Sequence, residues 1–184
     1  MDPTKLLEAD HRQAEGLLER IKKTEGSERR KLVDEMAAAL VAHMVLEERV
    51  VYPAMLDITG AEAVEEALNE HQATKTALDD LIALSPDEPG LGAALEAALQ
   101  HHVKDEETEV FPKMRSDGKQ QLTEIATPFM QKRMELDMDT PATGLASAFS
   151  KDELAAEAKL AGIDHFSSMK KDELAEALSQ RMAS

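Results

Sequence analysis

The chain has 184 residues, no cysteine and a formal charge of −16. Disulfides, thiolate metal sites and cysteine nucleophiles are therefore excluded, and the charge makes a poor match to a phosphate backbone or an anionic membrane. Apolar residues make up 42% but aromatics only 3%, so Ala, Leu and Met must fill the interior, as suits closely packed helices.

Asp2-Pro3 reads as an N-cap followed by Pro at the first helical position, and the spacing predicts a helix to about Lys23. Gly26-Ser27 breaks it, and Ser27 can cap a second helix running to about Leu56. Thr59-Gly60-Ala61-Glu62 has the capping-box pattern for a third helix ending near Leu84. Ser85-Pro86-Asp87-Glu88 repeats that pattern and opens a fourth to about Arg115. Four long helices with short turns predict an all-α, up-down-up-down four-helix bundle. Ser116-Asp117-Gly118 is a break, and 119–135 reads as an accessory helix that Pro128 can bend. A linker is expected over 136–149. A small unit then follows over 150–184: a helix capped by Ser150, an extended turn at Gly162-Ile163-Asp164, and a last helix over 168–181. Some thirty residues bury little core alone, so this unit must dock, dimerise or stay marginal.

The acidic excess lies mostly before this unit. Residues 1–150 hold 30 acidic and 16 basic residues, a net of −14, against −2 for 151–184. The first residues lack an apolar secretory core, and no apolar run approaches the roughly 18 residues of a membrane span. The expectation is a cytoplasmic protein.

Two segments repeat. His43-x3-Glu47-Glu48 with Tyr52-Pro53 aligns with His102-x3-Glu106-Glu107 with Phe111-Pro112, and a shift of one more residue places His11 on His71. Each half of the bundle is a helix with one His followed by a helix with His-x3-Glu, so the halves are related by a pseudo-twofold. Pro53 and Pro112 read as helix-terminal prolines, and the aromatic before each as core packing. Residues four apart share a helical face. His43, Glu47, His102 and Glu106 continue the apolar stripes of their helices into the interior, where charge needs a partner. With His11 and His71 they make four imidazoles and two carboxylates aimed at one place. Glu47 and Glu106 suit bridging positions between two divalent ions, and the four imidazoles suit terminal ones. This sulfur-free set fits iron, manganese or zinc. Glu48 and Glu107 either orient ligand imidazoles or lie on the surface. His101, about 100° round the helix from His102, is a neighbouring or surface group, and His165 reads as surface. No side chain is a strong independent acid or base. Lys75 is the one weak candidate.

Over about residues 5–115 the chain resembles the hemerythrin-like, or HHE cation-binding, family. The motifs are Asp10-His11, His43-x3-Glu47-Glu48, Asn69-Glu70-His71 and His102-x3-Glu106-Glu107. The resemblance implies two non-haem irons joined by an oxo or hydroxo bridge, ahead of zinc or manganese. It also implies binding or sensing of O₂, peroxide or nitric oxide, with peroxidase- or catalase-like turnover as a weaker possibility. Oxygen-carrying relatives have a second His one turn after the third-helix His, where this chain has Lys75, and their fourth helix carries its bridging Asp one residue further on than the bridge candidate here, Glu106. Four His in place of five leave more open coordination. Residues 150–182 resemble the N-terminal module of termination factor Rho and related SAP-like units, which implies docking or self-association before nucleic-acid contact. The alternatives are an iron-responsive regulatory protein without turnover and a nucleic-acid-associated stress protein acting through this tail.

Overall fold

A computed structural model describes residues 1–85, 92–138 and 142–182. The described residues form helices and no strands. The first bundle helix is α1 (Pro3–Lys23). The second is α2 (Gly26–Leu46), a π turn (Glu47–Val51) and α3 (Tyr52–Thr59). The third is α4 (Ala61–Ala83). The fourth is α5 (Ala93–Asp105), a second π turn (Glu106–Val110) and α6 (Phe111–Asp117). None of them is long and apolar enough to cross a membrane.

Asp2 caps α1 as expected, its carboxylate accepting from the Thr4 N–H at 2.9 Å. Two expected caps differ. Helix α2 begins at Gly26, preceded by Glu25 with no side-chain cap, so Ser27 lies inside it. Thr59 closes α3 by donating its hydroxyl to the Met55 carbonyl. Gly60, at φ +92°, makes the turn into α4 in a region that favours glycine. Pro86, Asp87 and Glu88 of the fourth-helix pattern lie outside the described residues.

The prolines do not end their helices. Proline cannot donate, and its ring collides with the carbonyl four residues back. The chain meets this with a π turn just before each one: Tyr52 N–H reaches Glu47 O, and Phe111 N–H reaches Glu106 O, five residues back. Pro53 and Pro112 then occupy the first turns of α3 and α6.

A polar layer divides the bundle interior. On one side Leu6, Leu7, Leu46, Met55, Ala67, Phe111 and Met114 form an apolar cluster. On the other Leu17, Ile21, Met36, Leu40, Leu78, Leu95 and Leu99 form a second. Along α1 the order is Leu7, His11, Ala14; along α4 it is Ala67, His71, Leu78. The layer thus lies at one height on every helix.

After Gly118 comes α7 (Lys119–Glu135), which runs through Pro128 and packs on α1, α2, α3 and the first π turn. Gly118 admits no side chain without a shift: a Cβ there would lie 2.2 Å from Ile58 Cδ1. Within the segment read as a linker stands a short helix, α8 (Ala142–Ala148), whose Leu145 is fully buried. It packs on α1 and on the last helix. Helix α9 (Lys151–Leu160) has the expected capping box at Ser150, and α10 (Lys171–Met182) follows a 3₁₀ turn at Phe166–Ser168. Leu145, Phe149, Leu154, Leu174 and Leu178 join the same apolar cluster as Leu6 and Phe111. Lys5 binds Glu153 at 2.6 Å and the terminal amine binds Glu157 at 2.8 Å. Most of the tail's large apolar residues are therefore spent on its own chain, Leu160 being exposed.

Candidate metal centre

Each His-x3-Glu pair lies on one face of its helix, and the π turn that follows begins at the Glu. Helices α1 and α4 each add one imidazole. His11, His43, Glu47, His102 and Glu106 place one ligand atom each within 4.8 Å of all the others, and all five residues are buried. His71 joins them through Glu47. Glu47 Oε2 lies 3.1 Å from His43 Nε2, 3.1 Å from His71 Nε2 and 3.8 Å from His102 Nε2. Glu106 Oε2 lies 3.5 Å from His11 Nε2 and 3.6 Å from His102 Nε2. His11 and His43 bring their Nε2 atoms to 3.2 Å. Six side chains from four helices thus meet with their donor atoms turned inward.

Three of these inward atoms are left without a partner. His102 Nε2, Glu47 Oε1 and Glu106 Oε2 are buried without a hydrogen-bond partner among the described residues. Such groups are costly in a protein interior unless something satisfies them. Divalent cations do so, and they remove the repulsion between the carboxylates as well. The titrations carry the same message. Burial resists ionisation of Glu47, yet His43, with His71 and His102, holds it well below the usual carboxylate range. Burial and the neighbouring Glu47 charge push Glu106 up. Two carboxylates this close do not both ionise readily without positive charge between them.

The outer nitrogen of every imidazole faces a carboxylate. His11 Nδ1 is 2.8 Å from Glu107 and His71 Nδ1 is 2.9 Å from Glu48. His43 Nδ1, 3.6 Å from Asp10, and His102 Nδ1, 3.6 Å from Glu70, face their carboxylates just beyond hydrogen-bond distance. The pattern obeys the repeat: the acid after each Glu serves one pair of histidines, and the acid before each lone His serves the other. A carboxylate that accepts from Nδ1, as Glu107 and Glu48 are placed to do, leaves Nε2 inward as the free donor and strengthens it. Asp10 and Glu70 did not emerge as orienting groups from the sequence, although both stand beside a His in the motif.

Each carboxylate is held in turn. Arg12 pairs with Glu107, Lys75 with Glu48 at 2.7 Å, and Arg133 with Asp10. His101, 64% exposed, lies 3.4 Å from Glu70 and 3.1 Å from Asp105. Lys75 and His101 thus sit outside the donor layer. His165 is exposed at φ +59°.

Tyr52 is a further arrival. Its hydroxyl lies 2.8 Å from His71 Nε2 and 3.4 Å from Glu106 Oε1. Burial, with Glu47 and Glu106 nearby, pushes its pKa well above the ordinary value, so it stays a neutral phenol and a proton donor. On a regular α-helix Tyr52 would point about 140° away from Glu47. The five-residue bond of the π turn stacks it on Glu47 instead. Its repeat partner Phe111 stacks on His11, with centroids 6.0 Å apart and planes at 9°, and brings no hydroxyl. The two halves of the centre therefore differ.

Searches among curated proteins and among solved structures returned no match to this chain. A match to a family domain covers residues 2–114 and ends before α7, so the likeness of 150–182 to Rho-type or SAP-like modules gains no support from it. A bundle of this order, with a buried His and Glu layer at one height, is what that domain describes: the chain belongs to the family of the hemerythrin HHE cation binding domain.

Proposed function

We propose that His11, His43, His71 and His102, with Glu47 and Glu106 between them, hold two non-haem iron ions, and that the protein binds O₂ or a related small oxidant there. The observation that carries this reading is the layer of buried, inward-facing donor atoms, of which His102 Nε2, Glu47 Oε1 and Glu106 Oε2 have no hydrogen-bond partner among the described residues. Mixed imidazole and carboxylate donors suit iron ahead of softer-ligand metals. Bound iron supplies a reversible change of oxidation state and open coordination positions for a small ligand. The chain does the rest. Glu47, facing three imidazoles, would be shared by both ions; the apolar clusters on either side limit access of bulk water; the outer carboxylates orient the rings. No group is placed as a strong general acid or base, so binding or sensing is favoured over turnover.

Anaerobic loading with Fe(II) followed by O₂ or peroxide tests this reading. New near-ultraviolet and visible absorption that appears with oxidant and decays on reduction is the expected result. An iron-loaded protein whose spectrum ignores both would contradict it.

Two further outcomes are expected. In the folded chain the carboxylates raise the histidines despite the opposing effect of burial: Glu47 and Asp10 take His43 to about 10, Glu106 and Glu107 raise His11, and Glu47 and Glu48 raise His71. A raised pKa means that protons hold these rings more tightly, and metal must displace them. Loading should therefore release protons, and affinity should fall as pH is lowered. Metal titration in weak buffer with a pH indicator reads both, and uptake without proton release would contradict the assignment.

Tyr52→Phe removes a hydroxyl set against the centre while keeping the ring. Iron content should hold, while the dissociation rate of a bound small anion such as azide should rise about five- to tenfold, the worth of roughly 1 kcal/mol of hydrogen bonding. Stopped-flow absorption measures it. An unchanged rate would remove Tyr52 from the ligand's surroundings.

A further inference from the structure

Helix α7 lies outside the matched domain, yet it sends one charged side chain to the centre. Arg133 is 2% exposed, among the largest fully enclosed side chains of the molecule. Its guanidinium forks onto Asp10: Nη2 donates to Oδ1 at 3.0 Å and Nη1 donates to Oδ2. The ring of Phe129, one turn earlier on α7, lies 5.9 Å from the guanidinium carbon. The Arg133 carbonyl accepts from Met138 N–H at 3.0 Å, which closes the end of the helix. Asp10 Oδ2, the oxygen that takes Nη1, is also the one 3.6 Å from His43 Nδ1.

The other holding groups are different. Arg12, Lys75 and His101 are 53%, 37% and 64% exposed and share their partners with water. Exposed pairs of this kind fix little. A buried two-pronged guanidinium–carboxylate pair fixes both the position and the rotation of the carboxylate. Asp10 without it would be a buried anion free to turn away from His43.

We infer that Arg133 is a positioning residue for the metal centre: it locks the Asp10 carboxylate against His43, so that the helix added after the family domain becomes part of the site. The inference deepens the proposed di-iron reading and rests on it for the role of His43 as a ligand. Its chemistry is that of an outer carboxylate, which sets the tautomer of a ligating imidazole and its strength as a donor, and whose loss typically costs ten- to a hundredfold in metal affinity. Lysine at 133 could keep the charge but not the fork.

The test uses the full chain as wild type, R133M and R133K. Two quantities are read: the rate at which loaded iron is lost to a chelator, and the rate at which the His43 ring Nδ1–H exchanges with solvent in metal-free protein. Wild type should show a slowly exchanging Nδ1–H. R133M should lose iron about tenfold faster and exchange this proton faster at unchanged helicity, with R133K between the two. Equal iron loss and unchanged Nδ1–H exchange in R133M would overturn the inference. If R133M does not fold, the same readings on R133K decide, with wild-type behaviour again overturning it. A wild type that takes up no iron would defeat the di-iron reading, and the Nδ1–H exchange would then decide the role of Arg133 alone.

Discussion

Glu47→Ala should empty both metal positions, not one. Glu47 Oε2 is approached by imidazoles from three helices, at 3.1, 3.1 and 3.8 Å, so its carboxylate is the point where the two halves of the layer meet. A terminal ligand serves one ion. A carboxylate between two ions contributes charge to both and offsets their repulsion, and without it the second ion is bound against the full charge of the first. His71→Ala provides the comparison: it removes one imidazole, and it should leave about one ion per chain. Metal analysis after gel filtration reads the difference, with circular dichroism to show that both variants are folded. Glu47→Ala protein that keeps one tightly held ion per chain would show that Glu47 is a terminal ligand.

Phe111→Ala should be the most destabilising single truncation near the centre, at about 3–5 kcal/mol in metal-free protein. Phe111 is completely buried, packs in the cluster with Leu6, Leu7 and Met114, and lies flat against His11. It is also the first residue after the second π turn, where its N–H closes the five-residue bond to Glu106 O. The space left by the ring borders a polar layer and cannot collapse without moving His11, so the cavity should persist. Urea unfolding followed by circular dichroism measures the loss, and metal-free conditions keep ligand binding out of the comparison. A loss under about 1 kcal/mol would mean that the cluster repacks freely and that Phe111 does not hold His11 in place.

The bundle was legible because its signals are local. Asp2-Pro3 and the capping box at Ser150 name the starts of their helices within a few residues. The repeat singles out the six side chains that meet in the polar layer, because two His-x3-Glu segments on amphipathic helices leave few other places for buried charge. What escaped was whatever the regular 3.6-residue period hides. The π turns change the face presented after Glu47 and Glu106, so the hydroxyl that Tyr52, a core residue as expected, sets against the polar layer is hidden, and the prolines read as helix ends. Local polarity misled at Ser27 and Thr59, since a hydroxyl near a glycine can cap a helix or sit inside one. Asp10 and Glu70 lie about 100° from their neighbouring histidines and find partners only across the bundle. Arg133 is 123 residues from Asp10 in the chain, and no periodicity reports such a pairing. In the tail, the helix at Ala142–Ala148 falls in Gly, Thr and Ala composition that reads as linker. Its order comes from burying Leu145 against α1 and α10, a tertiary effect.

Whether the layer of four histidines and two glutamates is a two-metal site is decided by metal content per chain, measured on folded protein purified without added metal and then loaded anaerobically with Fe(II). About two irons per chain are expected, falling to near none when Glu47 and Glu106 are both replaced. A folded protein that holds no metal before or after loading would contradict the two-metal assignment, and the buried donors would then have to be stabilised by one another.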